Sequence, residues 1–217
     1  MKTLKILSLT LVIFLGIVSG YYLIIILDAR ANTTDIVANA LKVGENRLEL
    51  KNLSENQLDM LLKVQDPNFY HHKGVDMTTP GTGVTTLSQG LVKMFYFDEF
   101  NPGIKKIKQT LIARFAFDPL TPKDTILQLF INHAYMGQRD GKPLHGFGPA
   151  AEYYFGKSFN SLSEDEYLAL IAMIRAPSRF NYHSQRAEND LRVSRIKNYL
   201  AGNYIPKTNS DWLYDRE

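Results

Sequence analysis

The sequence predicts a mainly α-helical domain carried on a single membrane-spanning helix. Three features predict it: an uncharged apolar run from Ile6 to Leu27, downstream segments with apolar residues at helical spacing behind Ser or Thr caps, and no bounded β-branched runs of period two.

The apolar run is the first element. It reaches the roughly 20 residues that a helix needs to cross the hydrocarbon core of a bilayer. Lys2 and Lys5 precede it, and Tyr21 and Tyr22 lie within it. The positive-inside tendency therefore puts residues 1–5 in the cytoplasm, residues 6–27 in the cytoplasmic membrane and everything after Asp28 on the extracytoplasmic, periplasmic side. A cleaved signal peptide is the competing reading, but the run exceeds the usual ~7–15-residue apolar region. Val18-Ser19-Gly20 is also followed by more apolar sequence, which favours a retained anchor. The small and polar residues that follow suit a stalk or a first helix over residues 28–50.

Ser54 followed by Gln57 has the form of a capping box and opens a helix carrying Leu58, Leu61 and Leu62. Thr121-Pro122-Lys123-Asp124 supplies an N-cap, a proline at the first helical position and an acid in the first turn. Ile126, Leu127, Phe130 and Ile131 follow at helical spacing, with Gly137 as the expected stop. Ser163 with Glu166 opens a helix carrying Tyr167, Leu170, Ile171 and Ile174, which Pro177 stops. A last amphipathic helix runs from about Gln185 through Leu191, Ile196, Tyr199 and Leu200 to Gly202. Its Arg186, Arg192, Arg195 and Lys197 are expected mostly on the solvated face. These elements place a folded domain over residues 51–203 and leave a tail, 204–217, in which no motif is legible.

Composition narrows the function. At 217 residues and 45% hydrophobic content the chain supports an anchor plus one domain. Twenty-five basic against 22 acidic residues leave a net charge of +3, too balanced for a nucleic-acid partner, so anion binding must be local. The lack of cysteine removes disulfides, thiolate metal sites and cysteine nucleophiles together. His71 and His72 adjoin but cannot face one ion from a helix, and no His-Glu-x-x-His spacing occurs, so no protein metal site is expected.

Three stretches carry candidate chemistry. Val64 to Gly74 packs acid, amide, imidazole and glycine groups at a helix end. Gly83 to Lys93 sets glycine and hydroxyls before an apolar helix, as an anion-accepting helix start would, although a capped surface helix has the same form. Lys105, Lys106, Lys108 and Arg114 concentrate cations in a helical segment, for which phosphate or lipid headgroups are natural partners.

In this order, and over roughly residues 55–200, these blocks resemble the family 51 glycosyltransferases: the transglycosylase domain of class A penicillin-binding proteins and of monofunctional peptidoglycan transglycosylases. The family's Glu-Asp-x-x-Phe-x-x-His-x-Gly is met by Asp66, Phe69, His72 and Gly74, with Gln65 at the leading glutamate. Its Gly-x-Ser-Thr-x-Thr-Gln-Gln-x-x-Lys is similar to Gly83 through Lys93, where Thr86 and Gln89 match and Thr85, Ser88 and Gly90 depart. Arg-Lys-x-x-Glu is met by Lys105, Lys106 and Gln109, and the Ile-Leu-Glu-x-Tyr-Leu-Asn helix by Ile126, Leu127, Gln128, Phe130, Ile131 and Asn132. Ala176-Pro177-Ser178-Arg179-Phe180-Asn181 resembles the turn after the family's fifth block.

The resemblance implies a lysozyme-like larger helical lobe and a membrane-proximal jaw, here reduced because only residues 75–82 link Gly74 to Gly83. It also implies polymerisation of lipid II with inversion, in which one glutamate takes the acceptor hydroxyl proton and another assists at the donor phosphate. Lys93, Lys105 and Lys106 are typed to neutralise the leaving diphosphate. Gln65 and Gln109 are not typed for the glutamates' tasks, since an amide has no proton-accepting pKa near neutrality. Gln128 is a third neutral exchange, and Asp66 is the adjacent substitute base, with a shorter side chain projecting elsewhere. Lipid II, peptidoglycan strands and the membrane are the implied partners. No cofactor is required, although a divalent cation on the diphosphate is compatible. Two readings stay open: an altered polymerase, or a non-catalytic protein that binds lipid II, glycan or another cell-wall synthesis protein.

Overall fold

A computed structural model describes residues 2–42, 47–101 and 103–215. The parts of the expected N-terminus, stalk and tail at residues 1, 43–46 and 216–217 lie outside the described residues.

Helix α1 runs unbroken from Lys2 to Ala40. At 1.5 Å per residue its length is about 58 Å, nearly twice the ~30 Å of a hydrocarbon core. It is the one helix among the described residues long and apolar enough to cross a membrane. Its second part is no loose stalk: Ala29, Thr33 and Ala40 are buried on one face, and the Thr33 hydroxyl lies 2.7 Å from the Tyr96 hydroxyl. Anchor and domain are thus a continuous, packed unit.

After a 3₁₀ turn at Leu50–Asn52, α2 (Glu55–Gln65) starts at the expected Ser54–Gln57 capping box. Helix α3 (Leu87–Phe95) is capped by Thr86 and Gln89. Helix α4 (Ile104–Ile112) passes into a π-helical turn, Ala113–Phe117, and a single turn α5, Asp118–Leu120. Pro119 has no N–H for the Phe115 carbonyl, and that carbonyl instead accepts from the Arg30 guanidinium of α1. The break in one helix therefore becomes the docking point of another.

Helix α6 spans Lys123–His133, with Pro122 rather than Thr121 at the cap position; the Thr121 hydroxyl is buried and makes no cap bond. The helix ends four residues before the expected stop at Gly137. Gly137 belongs instead to a β-hairpin of β1 (Tyr135–Arg139) and β2 (Lys142–His145) that sequence periodicity did not reveal. Its two-residue turn, Asp140-Gly141, has φ of 51° and 75°, the double positive φ of a type I′ turn.

Helices α7 (Phe147–Phe155), α8 (Glu164–Ile174) and α9 (Arg186–Leu200) complete the domain. Helix α8 starts at the expected Ser163–Glu166 capping box and is buried on all sides from Tyr167 to Met173, so it forms the centre of the core. Helix α9 corrects one expectation. Arg192 is only 3% exposed, with Nε bonded to the Ala172 carbonyl and Nη1 to the Trp212 carbonyl. Burial draws its pKa down to about 10, which leaves it cationic at neutral pH. Arg192 is covered by the tail, whose Asp211 and Tyr214 are also buried.

Candidate functional site

The site begins where α2 ends. Gln65 is the last residue of α2, and its Nε2 donates to the Ile171 carbonyl of α8 at 3.3 Å. The next residue, Asp66, turns the other way and is 1% exposed. One Asp66 oxygen accepts the Leu87 N–H at 3.0 Å, at the start of α3; the other lies 2.8 Å from His72 Nε2. The Gly74 N–H donates to His72 Nδ1 at 3.0 Å, so Nε2 carries the imidazole proton and donates it to Asp66. Phe69 is buried with its ring edge-on to His72, and the Thr86 hydroxyl donates to the Gly74 carbonyl at 2.7 Å. Asp66, Phe69, His72, Gly74 and Thr86 thus form a buried knot that ties α2 to α3.

Above the knot lies a cleft of about 630 Å³. It gathers Gln65, Thr85, Thr86, Lys93, Lys106 and Gln109 from the predicted residues. Gln109 Nε2 donates to the Gln89 carbonyl at 2.6 Å, while its buried Oε1 has no hydrogen-bond partner. Lys106 Nζ donates to the Thr85 hydroxyl at 3.1 Å and the Val84 carbonyl at 3.2 Å. Burial, then the charges of Arg175 and Lys93, lower the Lys106 pKa from its ordinary value. Among the described residues no aspartate or glutamate lines the cleft.

The remaining predicted residues lie elsewhere. Gln89 is buried, with its side chain spent on the Thr86 N–H and the Thr110 hydroxyl. Lys105 bonds the Glu99 carbonyl on the outer side of α4. Gln128 is half-buried in α6, and its carbonyl accepts from Asn132. Asn132 clamps the backbone N–H and C=O of Leu48, each at 2.8 Å, below the anchor helix.

Sequence reasoning missed several cleft residues, Arg175 and His145 among them. Arg175, just past α8, bonds the Thr82 carbonyl at 3.1 Å and rests on Gly83, where any Cβ would overlap the guanidinium. That close approach explains the glycine. His145, at the end of β2, also lines the cleft, and its Nδ1 lies 2.9 Å from the His133 carbonyl. An Arg directly before Ala176-Pro177 was the legible signal for the first; the Asp140-Gly141 turn would have led to the second.

Fold and cleft together define a helical domain held on a membrane-crossing helix, with three cations and two neutral amides around one groove. The transglycosylase family pattern matches residues 34–201, and the chain belongs to that family. It is similar to penicillin-binding protein 1B of Vibrio cholerae, 31% identical over 152 residues that cover 63% of this chain and 19% of that one. It is also similar to penicillin-binding proteins 1B and 1A of Escherichia coli, each 30% identical, over 64% and 77% of this chain and 18% and 22% of theirs. The chain therefore spans about a fifth of the length of the curated relatives it matches.

Proposed function

We propose that this protein holds a lipid-linked, diphosphate-bearing glycan such as lipid II at the outer face of the cytoplasmic membrane, without the proton transfer that would polymerise it. The observation that carries this reading is the cleft's composition: Lys93, Lys106 and Arg175 face it, and no carboxylate does among the described residues.

Burial first, and then the charges of Arg175 and Lys93, disfavour the Lys106 ammonium in this groove, and an anion relieves that cost. A diphosphate supplies compact charge of the right sign. The sugars then extend toward Gln65 and Gln109, whose amides hydrogen-bond but cannot take a hydroxyl proton. Both amides donate to main-chain carbonyls, at Ile171 and Gln89, a bond that an ionised carboxylate could not make. Asp66 is assigned to the scaffold, because both of its oxygens are engaged beneath the cleft. Among the described residues the groove offers a divalent ion no carboxylate ligand, so charge neutralisation is assigned to side chains, and any such ion arrives with the diphosphate. Helix α1 is the anchor, and residues 28–40 set the cleft's height over the bilayer.

Polymerisation of labelled lipid II by the detergent-solubilised full chain tests this, beside a Gln65→Glu, Gln109→Glu double variant. The expected result is lipid II binding without polymer from the unaltered protein, in line with the roughly 10²–10⁴-fold cost of losing a positioned base. Polymer from the unaltered protein would overturn the reading. The group to replace next would then be His145, the one imidazole lining the cleft among the described residues.

A further inference from the structure

Residues 204–215 lie beyond the family match, which ends at residue 201, yet they reach back to the cleft. The Gly81 N–H donates to the Thr208 carbonyl at 2.9 Å, and the Gly83 N–H to the Asn209 carbonyl at 2.6 Å. Asn209 Nδ2 donates to the Met77 carbonyl at 2.9 Å. The tail thus takes hold of the short 75–83 link from outside. Asp76 holds the same link from within: burial works against its charge, but bonds from Thr79 and Thr78 outweigh burial and keep the carboxyl well below the usual carboxylate range.

Trp212 makes the second contact. The Arg175 guanidinium carbon lies 4.7 Å from the centroid of the indole ring. The ring is itself braced by Phe180 at 6.5 Å and by Arg192 at 5.2 Å, and Arg192 also bonds the Trp212 carbonyl. Tyr214 seats the end of the segment by stacking on Tyr199 at 4.4 Å. The tail therefore bears on three contacts of the Arg175 guanidinium, directly through the indole and indirectly through the loop. The Thr82 carbonyl and the Gly83 backbone belong to the loop that the tail pins, and the ring belongs to the tail itself. An unstacked arginine on an exposed helix end has many rotamers; a guanidinium laid between a glycine and an indole has few.

We propose that the 204–215 segment is a strap that completes the anion site of the cleft, with Trp212 as the positioning residue that aims Arg175 at the bound diphosphate. The inference rests on the cleft being a diphosphate site, as argued above. Trp212 is the only tryptophan in the chain, so it also reports occupancy of that site by its fluorescence.

The test is calorimetric titration of the detergent-solubilised full chain with farnesyl diphosphate, for the unaltered protein and for Trp212→Leu, Trp212→Phe and Lys106→Ala. Intrinsic fluorescence of the unaltered protein is followed in parallel. Trp212→Leu keeps an apolar side chain but loses the π face and volume, and should weaken binding about threefold to tenfold, whereas Trp212→Phe, which keeps an aromatic face, should stay within about twofold. The fluorescence should shift on titration and saturate with the calorimetric isotherm. If Lys106→Ala weakens binding while Trp212→Leu binds normally and the fluorescence stays flat, the strap is wrong and the diphosphate site stands. If Lys106→Ala also binds normally, the cleft is not the diphosphate site and both fall. Should Trp212→Leu fail to fold, the fluorescence of the unaltered protein decides, since a purely structural tryptophan would not follow the isotherm.

Discussion

Gln65 and Asp66 are consecutive residues built into regions of opposite character. Asp66 belongs to the buried knot, where every polar atom is matched: a backbone N–H on one oxygen, a histidine on the other, and that histidine on the next backbone N–H. Nearby Asp118 is used the same way, accepting from Ser88 and Lys123. Gln65 faces the cleft, where cations are left uncompensated and an amide oxygen of Gln109 has no partner. Residues that match the family's motifs tie helices together in the knot, and neutral amides line the cleft at the two positions where the resemblance sets glutamates. The residues of one motif thus serve two separate tasks, architecture and cleft chemistry, and matching most of the motif does not establish turnover.

The sharpest break in this comparison is Asp66→Ala against Gln65→Ala. Removing Asp66 leaves a buried N–H and an imidazole without an acceptor and should cost about 3 kcal/mol in urea unfolding. Gln65→Ala, which loses one long bond to a carbonyl, should cost no more than about 1 kcal/mol. Equal costs would mean that the knot and the cleft wall are not distinct.

Next in size is Gln109→Glu, which sets a carboxyl against the Gln89 carbonyl in a site now 1% exposed. Its folded pKa should lie above the unfolded value of about 4.3. The variant should match the unaltered protein below that unfolded value and lose about 1–3 kcal/mol as pH rises through the folded pKa, read from melting curves between pH 4 and 8. A pH-independent difference would show that the cleft already accommodates a charge there.

The smallest effect sharpens the cleft side. Lys106 has a lowered pKa in the free protein, so the unfolded chain binds more protons and stability rises with pH in the window below the ordinary lysine value. Diphosphate binding needs the protonated ammonium and should weaken over that same window. Opposite slopes for stability and affinity are expected, and Lys106→Ala should flatten both. Parallel slopes would remove Lys106 from the anion site.

How legible was this? Both serine capping boxes sat where the sequence placed them, because a cap is settled by residues three apart. The β-hairpin was not read, although Asp140-Gly141 is a strong turn signal, because its strands are short and broken by Gly137 and carry no clean alternation. Arg192 was read as solvated because helical periodicity sees only its own helix, whereas Trp212, twenty residues on, covers it. Within the site, the glutamines and lysines were legible from motif spacing. Arg175 and the tail were not, since nothing local marks an aromatic residue that will stack on a distant guanidinium.

By itself the sequence determined the anchor, the two serine-capped helix starts, the family and the identity of the neutral amides at two acidic positions, because these rest on composition, on short-range hydrogen bonding and on residue type. Only the tertiary structure decided which motif residues face the cleft and which lie beneath it, that the anchor docks as one helix onto the domain, and that the tail reaches the site. Those are questions of side-chain direction and long-range packing, where consecutive residues such as Gln65 and Asp66 can point to opposite sides of the same helix end.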